Sequence, residues 1–260
     1  MATIDQSLAH GDSIIHTMDP RVRLGCAVLL TVTTALLHWL PPALLALATG
    51  AGLTLLAGLR PQTVIRRLAV VNVFIVFLWI FLPFSVPLAA QGEPVLRLGP
   101  LAASRAGVDL ALLITVKSNA IVLTLLALMA TIPMQDLGPA MQRLKVPEKL
   151  CHILLFTYRY LFVIHQEYRT MRRAMAARGF TPGTNRHTYR AVAWLMGMLL
   201  VRSWDRAERV HSAMRCRGFR GRFHSMARFT VSARDVMLLA GCTAMAAAFI
   251  WLETTRRGLA

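Results

Sequence analysis

LAVVNVFIVFLWIFLPF, residues 68–84, runs for 17 positions without a charge, directly after Arg66 and Arg67. A bilayer core about 30 Å thick calls for roughly 20 apolar residues in helix, with a lower end near 17. The stretch therefore reads as a membrane-spanning helix. Working outward, Leu24–Leu40, Ala43–Leu59, Val108–Ile132 and Val236–Leu252 meet the same test. The expected fold is all-α: a polytopic membrane protein with about five transmembrane helices and a polar helical domain between the fourth and the fifth. The first two spans are short, and Pro41-Pro42 between them leaves room only for a tight hairpin.

Charge sets the expected orientation. The 260 residues are 56% hydrophobic yet carry a formal charge of +17, and 19 of the 29 Lys and Arg fall between Pro133 and Arg234. Basic loops remain on the cytoplasmic side of a membrane, so this block and the N-terminus are placed inside. An odd number of spans then puts the C-terminus outside, where Arg256 and Arg257 fit less well. Three regions follow: residues 1–134 with four spans, residues 135–233 as a cytoplasmic helical domain, and residues 234–260 with the last span. A basic chain could also release counterions from nucleic acid. No paired metal-ligand cysteines and no basic region followed by heptads support that, and no nucleic-acid partner is expected. Cys26, Cys151, Cys216 and Cys242 are scattered, suggesting neither a disulfide framework nor a zinc site. The polar start, with Asp5, His10, Gly11 and Asp12, does not read as a cleavable signal.

In the polar half, Pro147 precedes a helix whose Leu150, Ile153, Leu154, Thr157, Leu161 and Ile164 follow a 3.6-residue stripe. It is expected to run to Gly179. Breakers follow at Thr181, Pro182, Gly183, Thr184 and Asn185. A second helix is predicted from near Tyr189 to Gly218. Its apolar run Ala191–Val201 is too short to span and is expected to pack under the membrane bundle.

The pattern A-M-x-x-R-G-F closes both helices. Ala174-Met175-Ala176-Ala177-Arg178-Gly179-Phe180 recurs 39 residues later as Ala213-Met214-Arg215-Cys216-Arg217-Gly218-Phe219. A glycine at C′ can adopt the left-handed conformation that ends a helix, and a cation there gains about 0.3–1 kcal/mol from the macrodipole. Capping alone requires neither the Ala-Met nor the Phe. The favoured reading is that Arg178 and Arg217 present planar forks to carboxylates of a partner, with Met175, Phe180, Met214 and Phe219 as supporting contacts.

Lys117 and Asn119 stand inside the fourth span, where a charge costs roughly 2.5–3.5 kcal/mol on insertion scales. They mark a contact with a partner or substrate route, or a lysine paired within the bundle. No G-x-x-x-x-G-K-[ST] loop is present to hold ATP phosphates. His10 and His16 are the one histidine pair worth a metal hypothesis, and no bound metal or cofactor is expected.

Together, the paired Ala-Arg-Gly-type motifs, Leu144-Lys145-Val146-Pro147, Tyr158-Arg159-Tyr160 and His16-Thr17-Met18-Asp19-Pro20-Arg21-Val22-Arg23-Leu24 resemble the T component of energy-coupling factor transporters. Within that family the chain is most similar to the CbiQ-type cobalt and nickel branch. The resemblance covers nearly the whole chain. It implies a non-catalytic subunit of an ABC importer in the bacterial inner membrane, docking through Ala177-Arg178-Gly179 and Cys216-Arg217-Gly218 on two CbiO-type ATPase subunits. Cys216 replaces the family's Ala. It further implies a separate CbiM-type substrate-binding membrane subunit and a small accessory membrane subunit. The competing readings are a T component for a vitamin, an intramembrane enzyme built around Lys117, and a membrane-tethered nucleic-acid binder.

Overall fold

The computed structural model describes residues 13, 15–85, 94–98, 101–220 and 232–257. Among them are eight helices: α1 (Pro20–Leu36), α2 (Leu40–Leu56), α3 (Pro61–Ser85), α4 (Arg105–Leu128), α5 (Met134–Arg143), α6 (Glu148–Ala177), α7 (Arg186–Cys216) and α8 (Ala233–Arg257). A short antiparallel pair, β1 (Pro94–Leu98) and β2 (Leu101–Ser104), joins α3 to α4 with a register shift between Pro94 and Leu96. Sequence alone predicts only a connection there. The chain divides into two compact units, residues 1–137 with 228–260, and residues 138–227.

The first unit is a polytopic helical membrane assembly. Pro61–Leu82, Arg105–Leu128 and Ala233–Thr255 are long and apolar enough to cross a bilayer, and Leu40–Leu56 is a shorter apolar helix. α1 also has 17 residues, at the lower end of what spans. α4 lies at the centre, packed by α1, α2 and α3, and α8 closes on α1. The core gathers Cys26, Ala27, Leu30, Ala120, Ala127, Leu128, Cys242 and Phe249. Small side chains let α2 approach α4 closely: a Cβ on Gly50 would stand 3.0 Å from the Ala120 carbonyl oxygen and 3.1 Å from the Leu123 Cβ. Such contact replaces the hydrophobic drive that lipid cannot supply between helices.

Several boundaries differ from the predicted ones for identifiable reasons. Pro41 and Pro42 do not separate α1 from α2. They sit in the first turn of α2, where a missing N–H costs nothing, and Leu37–Trp39 makes the turn. α4 stops at Leu128 rather than Ile132. α5 is absent from the sequence-based expectation, because Gly138 and Pro139 read as breakers. Its Asp136 in the first turn and Arg143 in the last complement the helix dipole. α7 begins at Arg186, three residues before Tyr189.

In the second unit α6 and α7, of 30 and 31 residues, form an antiparallel helical hairpin. The Glu167 carboxylate of α6 brackets it, taking Arg202 and, at 3.5 Å, Arg206 of α7. The predicted stripe on α6 is largely uncovered, with Leu150, Ile153 and Leu161 exposed. On α7, Val192, Trp194, Met196, Met198, Leu200 and Val201 are exposed as well, and Leu195 alone of the 191–201 run is buried.

Candidate functional site

Both repeated motifs are built as the same helix terminator. In the first, Arg178 is the capping residue and Gly179 follows at φ +80°. The Gly179 N–H donates to the Ala176 carbonyl (3.0 Å) and the Phe180 N–H to the Met175 carbonyl (3.1 Å). In the second, Gly218 sits at φ +79°. Its N–H donates to the Arg215 carbonyl (3.0 Å) and the Phe219 N–H to the Met214 carbonyl (3.1 Å). This is the Schellman arrangement, which often carries an apolar pair between its first and last positions. Met175 with Phe180, and Met214 with Phe219, occupy those positions and are half-buried in both copies. The cap thus accounts for the Met, Gly and Phe of the motif, where sequence alone pointed to docking for the Met and Phe. It asks of the arginines only a cation near the helix C-terminus: the backbone makes the cap, and the Arg178 and Arg217 side chains are exposed. Ala177 and Cys216 are exposed beside them.

The tips lie at opposite ends of the hairpin. Phe180 packs near His187 at the start of α7, with ring centroids 6.2 Å apart. Phe219, Arg217 and Gly218 instead share a groove of about 750 Å³ with Phe156, Arg159 and Tyr160, in the first half of α6. At 1.5 Å rise per residue, the roughly 20 residues of α6 between that groove and Arg178 put about 30 Å between the two arginines. One partner carboxylate cannot serve both. In the first turn of α6, burial pushes the Cys151 thiol up from its ordinary value, whereas Cys216 at the second tip is exposed.

Polar side chains in the membrane unit serve the bundle. The Lys117 ammonium donates to the Ala35 and Leu37 carbonyls, each at 2.7 Å, and so caps the C-terminus of α1. The same turn is held by Glu253 of α8, which accepts from the His38 N–H at 3.2 Å and meets His38 Nδ1 at 3.4 Å. Asn119 exchanges two 3.1 Å hydrogen bonds with Asn72 of α3, and Trp79 donates to Thr115 at 2.9 Å. Both residues singled out in the fourth span therefore pair inside the bundle.

At the other end of α1, Asp19 accepts from the Arg21 N–H (2.9 Å) and caps the helix. Its own N–H donates to Asp235 Oδ1 (2.9 Å), while Ser232 N–H donates to Asp235 Oδ2 (2.7 Å). Arg23, 1% exposed, donates to the Thr131 hydroxyl at 3.1 Å just beyond α4. The conspicuous Asp19-Pro20-Arg21-Val22-Arg23 run is thus a clasp joining α1, α4 and α8. Sequence reasoning misses Asp235, Glu253 and Asn72. Their signal is faint: single polar residues at or inside otherwise apolar helices, with partners far along the chain. His16 bonds Ser13 at 2.6 Å, and His10 lies outside the described residues. Among the described residues no group of three or more His, Cys, Asp or Glu could hold a metal ion.

A bundle of apolar helices in one unit and a basic helical hairpin in the other, with an exposed arginine at each capped end of that hairpin, define a polytopic helical membrane protein. The family model described as CbiQ, cobalt transport protein, matches residues 11–228, a stretch holding both arginine tips. The chain belongs to that family. It is 31% identical over 116 residues to the uncharacterized protein MJ1089 of Methanocaldococcus jannaschii, covering 45% of this chain and 43% of that one. It is 35% identical over 94 residues to the cobalt transport protein CbiQ of Rhodobacter capsulatus, covering 36% of this chain and 38% of that one. The match thus spans less than half of either relative. It is 28% identical over 225 residues to the energy-coupling factor transporter transmembrane protein EcfT of Bacillus selenitireducens, covering 81% of each.

Proposed function

We propose that this chain is the membrane coupling subunit of an energy-coupling factor importer for cobalt or nickel ions, and that Arg178 and Arg217 dock on two ABC ATPase subunits. The observation that carries this reading is the pair of exposed arginines on identically capped helix ends about 30 Å apart. An exposed guanidinium on a rigid cap loses little freedom when it forms a bidentate bond to a carboxylate. Two such points at opposite ends of one stiff hairpin would relay the relative motion of two ATPases. Residues 135–233 act as the cytoplasmic coupling domain, and the bundle sits in the inner membrane beside a CbiM-type substrate-binding subunit and a small accessory subunit. The ion is captured by that partner; this chain supplies no ATP site and no catalytic group. The family match and the end-to-end likeness to an EcfT support the assignment.

The intramembrane-enzyme reading needs Lys117 as a reactive group, and its ammonium is occupied in capping α1. The proposal is tested by the Arg178→Glu/Arg217→Glu double variant, co-expressed and purified with candidate ABC ATPase subunits. The variant is expected to insert normally, to lose the ATPases on purification and to abolish uptake of radiolabelled cobalt. Intact complexes with normal uptake would refute it.

A further inference from the structure

A cavity of about 1300 Å³ lies between the first turns of α3 and the end of α4. At one end it is lined by Gln62, Arg66 and Arg67, and along its length by apolar side chains including Val70, Val122 and Met129. We propose that this cavity binds one anionic phospholipid, its phosphate on the Arg66 and Arg67 guanidiniums and an acyl chain along the Val70 wall.

Four observations select that occupant. The polar end is cationic, and guanidiniums bind phosphate through bidentate hydrogen bonds. Beyond Gln62, Thr63 and the two arginines the lining is apolar, a surface that suits an acyl chain and adds nothing to the binding of a free inorganic anion. Val70 is also 71% exposed, continuous with the uncovered Val73 and Phe74 on α3, so the cavity runs into the face that meets the hydrocarbon. α3 enters the membrane directly after Arg66 and Arg67, which sets the guanidiniums at headgroup depth. Basic pockets between membrane helices are a general form of anionic-lipid recognition.

The test uses the whole transporter complex, purified and delipidated in a neutral detergent. Phosphatidylglycerol, phosphatidylcholine with the same chains and inorganic phosphate are each added, and bound lipid and melting temperature are read by native mass spectrometry and thermal unfolding. Phosphatidylglycerol alone is expected to be retained and to raise the melting temperature. Arg66→Gln/Arg67→Gln should weaken its binding roughly tenfold or more. Val70→Trp, which fills the wall and keeps both charges, should abolish retention, and Arg60→Gln, outside the cavity, should change nothing. Equal retention of phosphatidylcholine, full stabilisation by inorganic phosphate, or phosphatidylglycerol binding unaltered in both cavity variants would overturn the proposal.

Discussion

Gly179 and Gly218 can be separated experimentally from the arginines before them. A Cβ at either glycine would meet nothing within 4 Å, yet φ is +80° and +79°. The penalty for Ala there is therefore purely conformational, about 1–2 kcal/mol. Gly179→Ala and Gly218→Ala should each lower thermal stability by that amount. Arg178→Ala and Arg217→Ala remove only exposed side chains and should stay within about 0.5 kcal/mol of the parent while weakening ATPase binding. Arginine variants that melt earlier than the glycine variants would make the tips structural. Lys117→Met leaves α1 carbonyls unbonded and should cost about 1–3 kcal/mol in a melt in detergent. The motif itself was legible because it repeats and contains glycine. The partners of Lys117 were not, since they are backbone carbonyls 82 and 80 residues away, which no side-chain letter records.

Helices α3, α4 and α8 were readable from composition because a long, nearly charge-free run suits a bilayer and little else. Their attachments were not. Asn72 and Asn119 lie 47 residues apart, and nothing in either local sequence names the other. A double-mutant cycle with Ala at both positions should give a coupling of about 0.6 kcal/mol, up to about 1.7. A value of zero would show that the amide pair does not hold α3 to α4. Asp235 is 1% exposed and accepts N–H groups from both Ser232 and Asp19, so Asp235→Ala removes a helix cap and an inter-helix tie together. A loss of about 2 kcal/mol or more is expected. α5 stayed hidden for a different reason: in so short a helix Gly138 and Pro139 dominate local propensity, and packing overrides them. Gly138 itself lies against Leu155 of α6, where a Cβ would come within 2.6 Å of that side chain.

For the whole molecule, segregated charge, the long apolar helices and the duplicated terminator belong to one arrangement. On the proposed function, the apolar unit is the membrane scaffold and the two exposed ends of the basic hairpin are its docking points. The length of that hairpin is the feature composition could not give, because the antiparallel packing that sets the arginines about 30 Å apart is a tertiary fact. The chain carries its own reporter of this arrangement. Of its four cysteines, Cys26, Cys151 and Cys242 are buried, while Cys216 is exposed and immediately precedes Arg217. The most direct measurement is the rate at which a membrane-impermeant maleimide labels Cys216, in intact cells, in opened membranes, and in membranes with the ATPases assembled. Labelling is expected only after the cells are opened, slowed at least tenfold when the ATPases are bound, with the slowing abolished by Arg217→Glu. Labelling from outside intact cells, or an unchanged rate with the ATPases in place, would contradict the inward, ATPase-engaged position of the second tip.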